Sequence, residues 1–242
     1  MSTKYFILTK PNNCSCIDDT ETQIININKK NTFLMPEVNL TYYLNHGLFE
    51  KNIIEWSKQL CSLTQTILDI GAHTGSYTIS LSPFAKEVYS FEPQKMTYYA
   101  LCGSVALSNA QNVTCLKIGL GSQNQIGTQK LKIRSNDGGG SSLHDELNDT
   151  ILTTEDIDVD TLDNVVSYNK ITNIGFIKMD AEYNELNILK GAVNTIINNN
   201  FPKILFESNK TNEQLFNFLK DIGYKKIVSV YGSSNMFLAC QE

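Results

Sequence analysis

Seven short apolar runs, the first five separated mostly by helix-like stretches, leave this chain few folds to adopt. They are TILDIG (66–71), EVYSFEP (87–93), NVTCLKIGLG (112–121), NIGFIKMD (173–180), FPKILFES (201–208), YKKIVSV (224–230) and NMFLAC (235–240). Helical patterning covers 98–108, 182–198 and 212–222, and a further amphipathic helix over 48–60 precedes the first run. Strands alternating with helices predict an α/β fold: a doubly wound, mostly parallel sheet with helices on both faces. Only YGSSN (231–235) divides the last two runs, which suits a hairpin and puts one antiparallel strand at the end of a seven-stranded sheet. Residues 1–50, with β-like runs at 5–9 and 24–28, are expected to form a small N-terminal extension packed on a core of 51–242. Residues 129–134 read as another strand, followed by the Gly/Ser/Asp-rich loop NDGGGSSLHDELND.

Composition narrows the function. A chain of 242 residues that is 41% hydrophobic and 19% charged can bury a real core. Its net charge is −5, and Arg134 is the single arginine among 20 basic residues. No global positive field draws it to nucleic acid, and bidentate guanidinium clamps on phosphate are nearly absent. The six cysteines show neither a C-x-x-C pair nor zinc spacing; Cys14 and Cys16 form the only close pair. The N-terminal apolar run is too short for a signal peptide, and no run of about 18 apolar residues exists. The expectation is a cytoplasmic protein with reduced thiols and no membrane partner, its oligomeric state left open to a homo-oligomer.

The chemistry begins at Asp69-Ile-Gly71-Ala72-His73-Thr-Gly75, which closes a predicted strand and opens a predicted helix at Ser76. Two glycines permit a tight turn and close approach of backbone to a ligand. Free amides at the helix start can bind a polar group. The next run ends in Phe91-Glu92-Pro93, with Glu92 17 residues beyond Gly75, where a carboxylate can accept both hydroxyls of a ribose. A dinucleotide fold would require G-x-G-x-x-G; the G-x-x-x-G here, with an acid two residues before it, is the pattern of S-adenosylmethionine-dependent methyltransferases.

Three separated stretches sharpen this. LDIGAHTGSYTISLS with VYSFEPQ, IGFIKMDAEYNELNILKGA and FPKILFES, together with IDVDTLDN (157–164), resemble the FkbM family of S-adenosylmethionine-dependent O-methyltransferases over roughly residues 65–210. The resemblance implies a Rossmann-like class I methyltransferase domain. It implies S-adenosyl-L-methionine as cofactor, held by Asp69, Gly71, Ala72, His73, Gly75, Ser76, Glu92, Pro93, Gly119 and Asp180. Two positions depart from the family: His73 stands where Asn is usual, and Tyr183 where Gly is usual in its D-x-E-G-x-E run. Either a glycine backbone is not needed at 183, or the tyrosine ring reshapes the acceptor pocket.

Methyl transfer needs a positioned nucleophile and a base. Lys178, Asp180 and Glu182 alternate at the end of the fourth run and, if extended, point to one face. A lysine in an apolar strand needs a partner, and these carboxylates supply it. Asp180 is the expected proton acceptor. Lys178 tunes it, Glu182 or Glu185 shapes the pocket, and His73 is a second catalytic candidate or a hydrogen-bond partner of the cofactor's methionine part. Glu207 reads as an acceptor-pocket carboxylate or a partner of a helix start near Asn209. Ser141 and Ser142 are candidates to approach the ligand, and His144 reads as a solvent-exposed loop residue. The cluster is taken as metal-free, the alternative being a divalent ion on Asp180, Glu182 and Glu207. The function expected is O-methylation of a sugar, glycan or similar polyhydroxylated small molecule, as in glycan biosynthesis. The alternative is a ribose 2′-O-methyltransferase acting on RNA, against which the acidic pI weighs.

Overall fold

The computed structural model describes residues 4–9, 31–144, 150–208 and 212–242. In chain order the strands and helices are β1 (Tyr5–Thr9), β2 (Thr32–Pro36), α1 (Leu40–His46), α2 (Lys51–Ser57), β3 (Thr66–Ile70), α3 (Ser76–Leu81), β4 (Glu87–Phe91), α4 (Lys95–Leu107), β5 (Val113–Leu116), β6 (Gly119–Leu120), β7 (Gly127–Ile133) and β8 (Thr153–Asp160). They continue as α5 (Leu162–Tyr168), β9 (Ile174–Met179), α6 (Glu185–Lys190), α7 (Val193–Asn198), β10 (Lys203–Glu207), α8 (Glu213–Ile222), β11 (Lys226–Ser229) and β12 (Met236–Cys240).

The main sheet has seven strands in the order β11-β12-β10-β9-β3-β4-β5. β3, β4, β5, β9 and β10 run parallel, as the alternation of strands and helices predicts. β12 is antiparallel to both neighbours; the hairpin inserts it between β10 and β11 rather than at the sheet's edge. All five residues of β3 are buried, because a central parallel strand carries helices on both faces. Leu68, Ile70, Ile177 and Met179 pack with Leu162, Ile188 and Ile196 on one face. Ile67, Phe176 and Leu205 meet Ile53, Ile54 and Leu81 on the other. Each fully buried side chain of this size stabilises the fold by about 1.5–3 kcal/mol.

Three expectations change. The run at 112–121 breaks: β5 joins the main sheet, while β6 pairs with β8 in a separate sheet of order β6-β8-β7. β8 was not read as a strand because it is acidic and largely exposed, with only Ile157 and Val159 buried. The helix expected over 182–198 begins only at Glu185 and divides at Gly191, where a Cβ would lie 2.1 Å from the Gly121 carbonyl oxygen. The β-like run at 24–28, Cys14, Cys16 and Asn209 lie outside the described residues.

β1 and β2 pair antiparallel, and β2 docks edge-on against α4. The dock follows from two serines one helical turn apart: Ser104 Oγ accepts the Leu34 amide and Ser108 Oγ the Thr32 amide, both at 2.9 Å. Those strand amides would otherwise be buried without partners. Among the described residues, no helix is long and apolar enough to cross a membrane.

Candidate active site

The chain leaves β5 and returns to place β9 beside β3, so the sheet's topological switch lies between those two strands. Ligands of open α/β sheets bind outside the carboxyl ends at such a point. A cavity of about 340 Å³ opens there.

Its floor is the turn after β3. Gly71 and Gly75 have φ of +73° and +97°, and His73 between them has +50°. The Gly71 and Ala72 amides both donate to the Phe91 carbonyl at 3.0 Å, which ties the turn to β4. A Cβ on Gly71 would lie 1.8 Å from the Asp180 carbonyl oxygen, and one on Gly75 2.9 Å from Leu101 Cδ1. The glycines therefore let the end of β9 and α4 approach: the place of the missing Gly71 side chain is taken by the Asp180 carbonyl, while Gly71 itself still borders the cavity.

Gly71, Ala72, His73, Ser76, Glu92, Pro93, Gly119 and Asp180 line the cavity, but Asp69 and Gly75 do not. Asp69 lies beneath the turn, 1% exposed, with one oxygen accepting the Thr78 hydroxyl and the other lacking a hydrogen-bond partner. It is thus tied to α3 and faces Lys178 rather than the cavity. Glu92 is buried, and its two oxygens accept the His73 and Gln94 amides at 2.9 Å each. Burial pushes its pKa up to about 7, against the opposing pull of those two amides.

Lys178, 4% exposed, is the electrostatic hub. Its ammonium lies 3.4 Å from Asp180 Oδ2, 3.9 Å from Asp69 Oδ1, 3.2 Å from the Gly71 carbonyl oxygen and 5.0 Å from the Tyr77 ring centre. Burial disfavours the charge, but the carboxylates of Asp180, Asp69 and Glu50 outweigh it and raise the pKa. Burial likewise disfavours the Asp180 anion; Lys178 and a hydrogen bond with Glu207 prevail and hold its pKa below the ordinary range.

Glu182 reaches this cluster by a turn, not by extended chain. β9 ends at Met179, and Glu182 and Tyr183 take φ of +49° and +76°. The left-handed backbone usual for glycine thus persists at Tyr183, whose side chain is 55% exposed. Asp180, Glu182 and Glu207 each present a carboxylate oxygen within 4.8 Å of the others, a spacing compatible with a divalent ion. Glu207 also accepts from Asn235 Nδ2 and lines a smaller neighbouring cavity with Glu182 and Glu185. Glu185 accepts the Ala181 amide at 2.8 Å, and burial pushes its pKa up to about 7.

His73 is held by both ring nitrogens, with Nδ1 3.3 Å from the Thr74 hydroxyl oxygen. Its Nε2 donates to the Asp137 carbonyl at 2.8 Å, and burial lowers its pKa. Ser141 and Ser142 line the cavity, but their hydroxyls donate to Gly138 and Glu182 carbonyls. His144 is half-buried, not solvent-exposed, with Nε2 3.2 Å from Asn184 Oδ1.

Sequence reasoning missed one flank altogether. Asn39, Tyr43, Phe49 and Glu50 line the cavity, joined to the sheet where Glu50 accepts the Tyr77 hydroxyl at 2.9 Å. Asp137 lines it too and accepts from Asn39 at 2.5 Å. The run of aromatics at 42–49 beside a carboxylate was the available signal.

Comparison with known proteins agrees with this architecture. The model of the methyltransferase FkbM domain matches residues 69–226. No curated protein matches the chain. Among solved structures, precorrin-6y C5,15-methyltransferase from Geobacter metallireducens GS-15 superposes with a TM-score of 0.51 at 11% identity, covering 81% of this chain and 90% of that one. The METTL16 MTase domain gives a TM-score of 0.51 at 12% identity over 80% of this chain and 68% of its own. At such identities the likeness speaks to the fold alone, whereas the family match spans most of the chain, from the end of β3 through β9 to the start of β11. The chain belongs to the FkbM family and is an S-adenosylmethionine-dependent methyltransferase.

Proposed function

We propose that this enzyme methylates a hydroxyl of a neutral, polyhydroxylated acceptor such as a sugar or glycan. The observation that carries the reading is the charge of the cavity wall. Glu50, Glu92, Asp137, Asp180 and Glu182 line it, and among the described residues its one lysine, Lys178, is already paired with Asp180 and Asp69. Such a wall accepts hydroxyl protons and repels phosphate. An RNA acceptor would want the opposite sign.

The same wall fits the cofactor. Glu92 keeps lone pairs free beyond its two amide contacts, enough to accept ribose hydroxyls. The carboxylates complement a cationic sulfonium. When bound, S-adenosylmethionine supplies an electrophilic methyl group. Gly71, Ala72, His73, Ser76, Pro93 and Gly119 would contact it, and Asp69 would act from behind the turn.

Asp180 is the proton acceptor in this reading. It lines the cavity with 28% of its side chain open, and Lys178 keeps it ionised at neutral pH. Loss of the proton turns a weakly nucleophilic hydroxyl into a competent one. Glu182 and Glu185 shape the acceptor side.

The test is a methyl-transfer screen with S-adenosylmethionine against neutral glycosides, nucleotide sugars and capped RNA. Methylation of a neutral glycoside at a hydroxyl is the expected result. Methylation of RNA alone would overturn the reading.

A further inference from the structure

The flank of the cavity contributed by residues 39–50 is chemically unlike the rest. Tyr42 and Phe49 stack with ring centres 4.0 Å apart and planes 17° from parallel. Tyr43, only 4% exposed, meets Phe49 edge-on at 5.2 Å. The buried ring and the stacked ring fix Phe49 from two sides, yet Phe49 keeps 39% of its surface open and lines the cavity. A large apolar side chain held rigid and open against a cavity wall is positioned to contact a ligand.

Polar groups stand immediately beside it. The Asn39 amide and the Asp137 carboxylate are hydrogen-bonded to each other on the cavity wall. Glu50 follows Phe49 with a left-handed backbone, φ +53°, and its carboxylate is held by the Tyr77 hydroxyl at 2.9 Å. That anchor keeps the aromatic cluster in register with Lys178 and Asp180.

A pyranose ring presents the matching pair of surfaces, an apolar C–H face and a rim of hydroxyls. We propose that Phe49, backed by Tyr42 and Tyr43, is the stacking platform for a neutral sugar ring of the acceptor, with Asn39, Asp137 and Glu50 reading its hydroxyls. Residues 39–50 are then the specificity-determining part of the enzyme. The inference rests on the acceptor being polyhydroxylated, as proposed above. The base of a nucleotide would also stack, but the nucleotide's phosphate would meet the carboxylates that line this cavity.

The experiment is saturation-transfer NMR on the protein saturated with S-adenosylhomocysteine. The probes are the methyl glycosides of glucose, mannose and N-acetylglucosamine, with AMP as the nucleobase control. Wild-type protein should bind at least one glycoside through its ring C–H protons. Phe49→Ala should weaken that binding at least tenfold, and Phe49→Trp should restore it. Phe49→Leu keeps apolar volume without the π face and substitutes for alanine if truncation unsettles the stack. Adenosylhomocysteine affinity, read by calorimetry, should stay within about twofold throughout. Glycoside binding unchanged in Phe49→Ala and Phe49→Leu overturns the platform and leaves the sugar-acceptor reading standing. Parallel loss of adenosylhomocysteine would assign Phe49 to the cofactor and overturn the platform as well. Failure of wild type to bind any glycoside, with or without AMP binding, overturns both readings.

Discussion

Asp180 and Glu207 are hydrogen-bonded to each other across the carboxyl ends of two neighbouring parallel strands. Burial, the Asp180 charge and that hydrogen bond together push Glu207 up to about 9, whereas Lys178 holds Asp180 low. At neutral pH one proton therefore resides on Glu207, and Asp180 is the anion beside the cavity. The pair gives Asp180 a fixed orientation and a charge, which are what a proton acceptor needs.

Replacing Asp180 by Asn keeps the shape and removes the charge. Turnover should fall by roughly two to four orders of magnitude, the usual span for losing a general base, with little change in cofactor affinity. Lys178→Met is a harsher change than a lost tuning partner. It strands Asp69, 1% exposed, as well as Asp180, and removing one partner of a buried ion pair costs about 3–5 kcal/mol. Unfolding curves should register it before kinetics do. A wild-type rate in Asp180→Asn would remove β9 from the chemistry.

Glu207→Gln tests the pair through stability. Glu207 titrates near its ordinary value when unfolded but at about 9 when folded, so between those values the native state binds the extra proton. Wild-type stability must then fall as pH rises through that window, while a glutamine is indifferent to pH. The melting temperature of Glu207→Gln relative to wild type should therefore climb between pH 5 and pH 9. A constant difference across that range would mean that Glu207 is not the protonated partner.

The proposed contact of Glu92 with the cofactor predicts a pH dependence in a neighbouring window. With its pKa raised to about 7 in the cofactor-free protein, Glu92 is mostly protonated at pH 6 and mostly ionised at pH 8. If the ionised form accepts the ribose hydroxyls, S-adenosylhomocysteine should bind up to about tenfold more tightly at pH 8 than at pH 6. Alanine is a poor test, because it also orphans the His73 and Gln94 amides. Glu92→Gln keeps an acceptor for one of the two amides and should bind about 1.5–3 kcal/mol more weakly at pH 8, with the pH dependence gone. Calorimetry at the two pH values checks both.

How far the sequence could be read followed from how local each feature is. β3, β9 and β10 were legible because strands buried on both faces are short continuous apolar runs. A lysine and an aspartate at the end of such a run, Lys178 and Asp180, stand out by their desolvation cost alone. β8 was hidden because one exposed acidic face obscures the two residues that it buries. The approach of Glu182 was hidden too, since two successive left-handed residues at 182 and 183 carry side chains that announce extended or helical chain. The flank at 39–50 carried one local signal, its run of aromatics, but its place on the cavity wall was beyond local reading: Asn39 meets Asp137 across 98 residues of sequence.

Tyr183 offers a direct measure of strain at that turn. A tyrosine at φ +76° lies in a region that costs an L-residue roughly 1–2 kcal/mol, and its largely exposed ring has little packing to lose. Tyr183→Gly restores the residue usual in the family and should stabilise the fold by up to about 1 kcal/mol, after the extra chain entropy of glycine is deducted. For a chain of this size the melting temperature should rise by about 2–4 °C. If the same variant changes KM for the acceptor but not for the cofactor, the tyrosine ring also takes part in the acceptor pocket.

The close approach of Gly71 to β9 leads to a prediction that needs an internal control. Gly71 and Gly140 have nearly equal φ, +73° and +68°, so alanine at either position carries a left-handed cost of about 1–2 kcal/mol. Their surroundings differ completely. A Cβ at 71 lies 1.8 Å from the Asp180 carbonyl oxygen, whereas one at 140 has nothing within 4 Å. Gly71→Ala must therefore displace the end of β9, adding an overpacking cost of about 1–3 kcal/mol that Gly140→Ala escapes. That displacement moves Asp180 as well, so cofactor binding and turnover should fall together with stability in Gly71→Ala. Denaturant unfolding of the two variants, with adenosylhomocysteine calorimetry on each, separates the effects. Equal stability and equal binding in the pair would mean that backbone conformation alone, and not the contact with β9, requires glycine at 71.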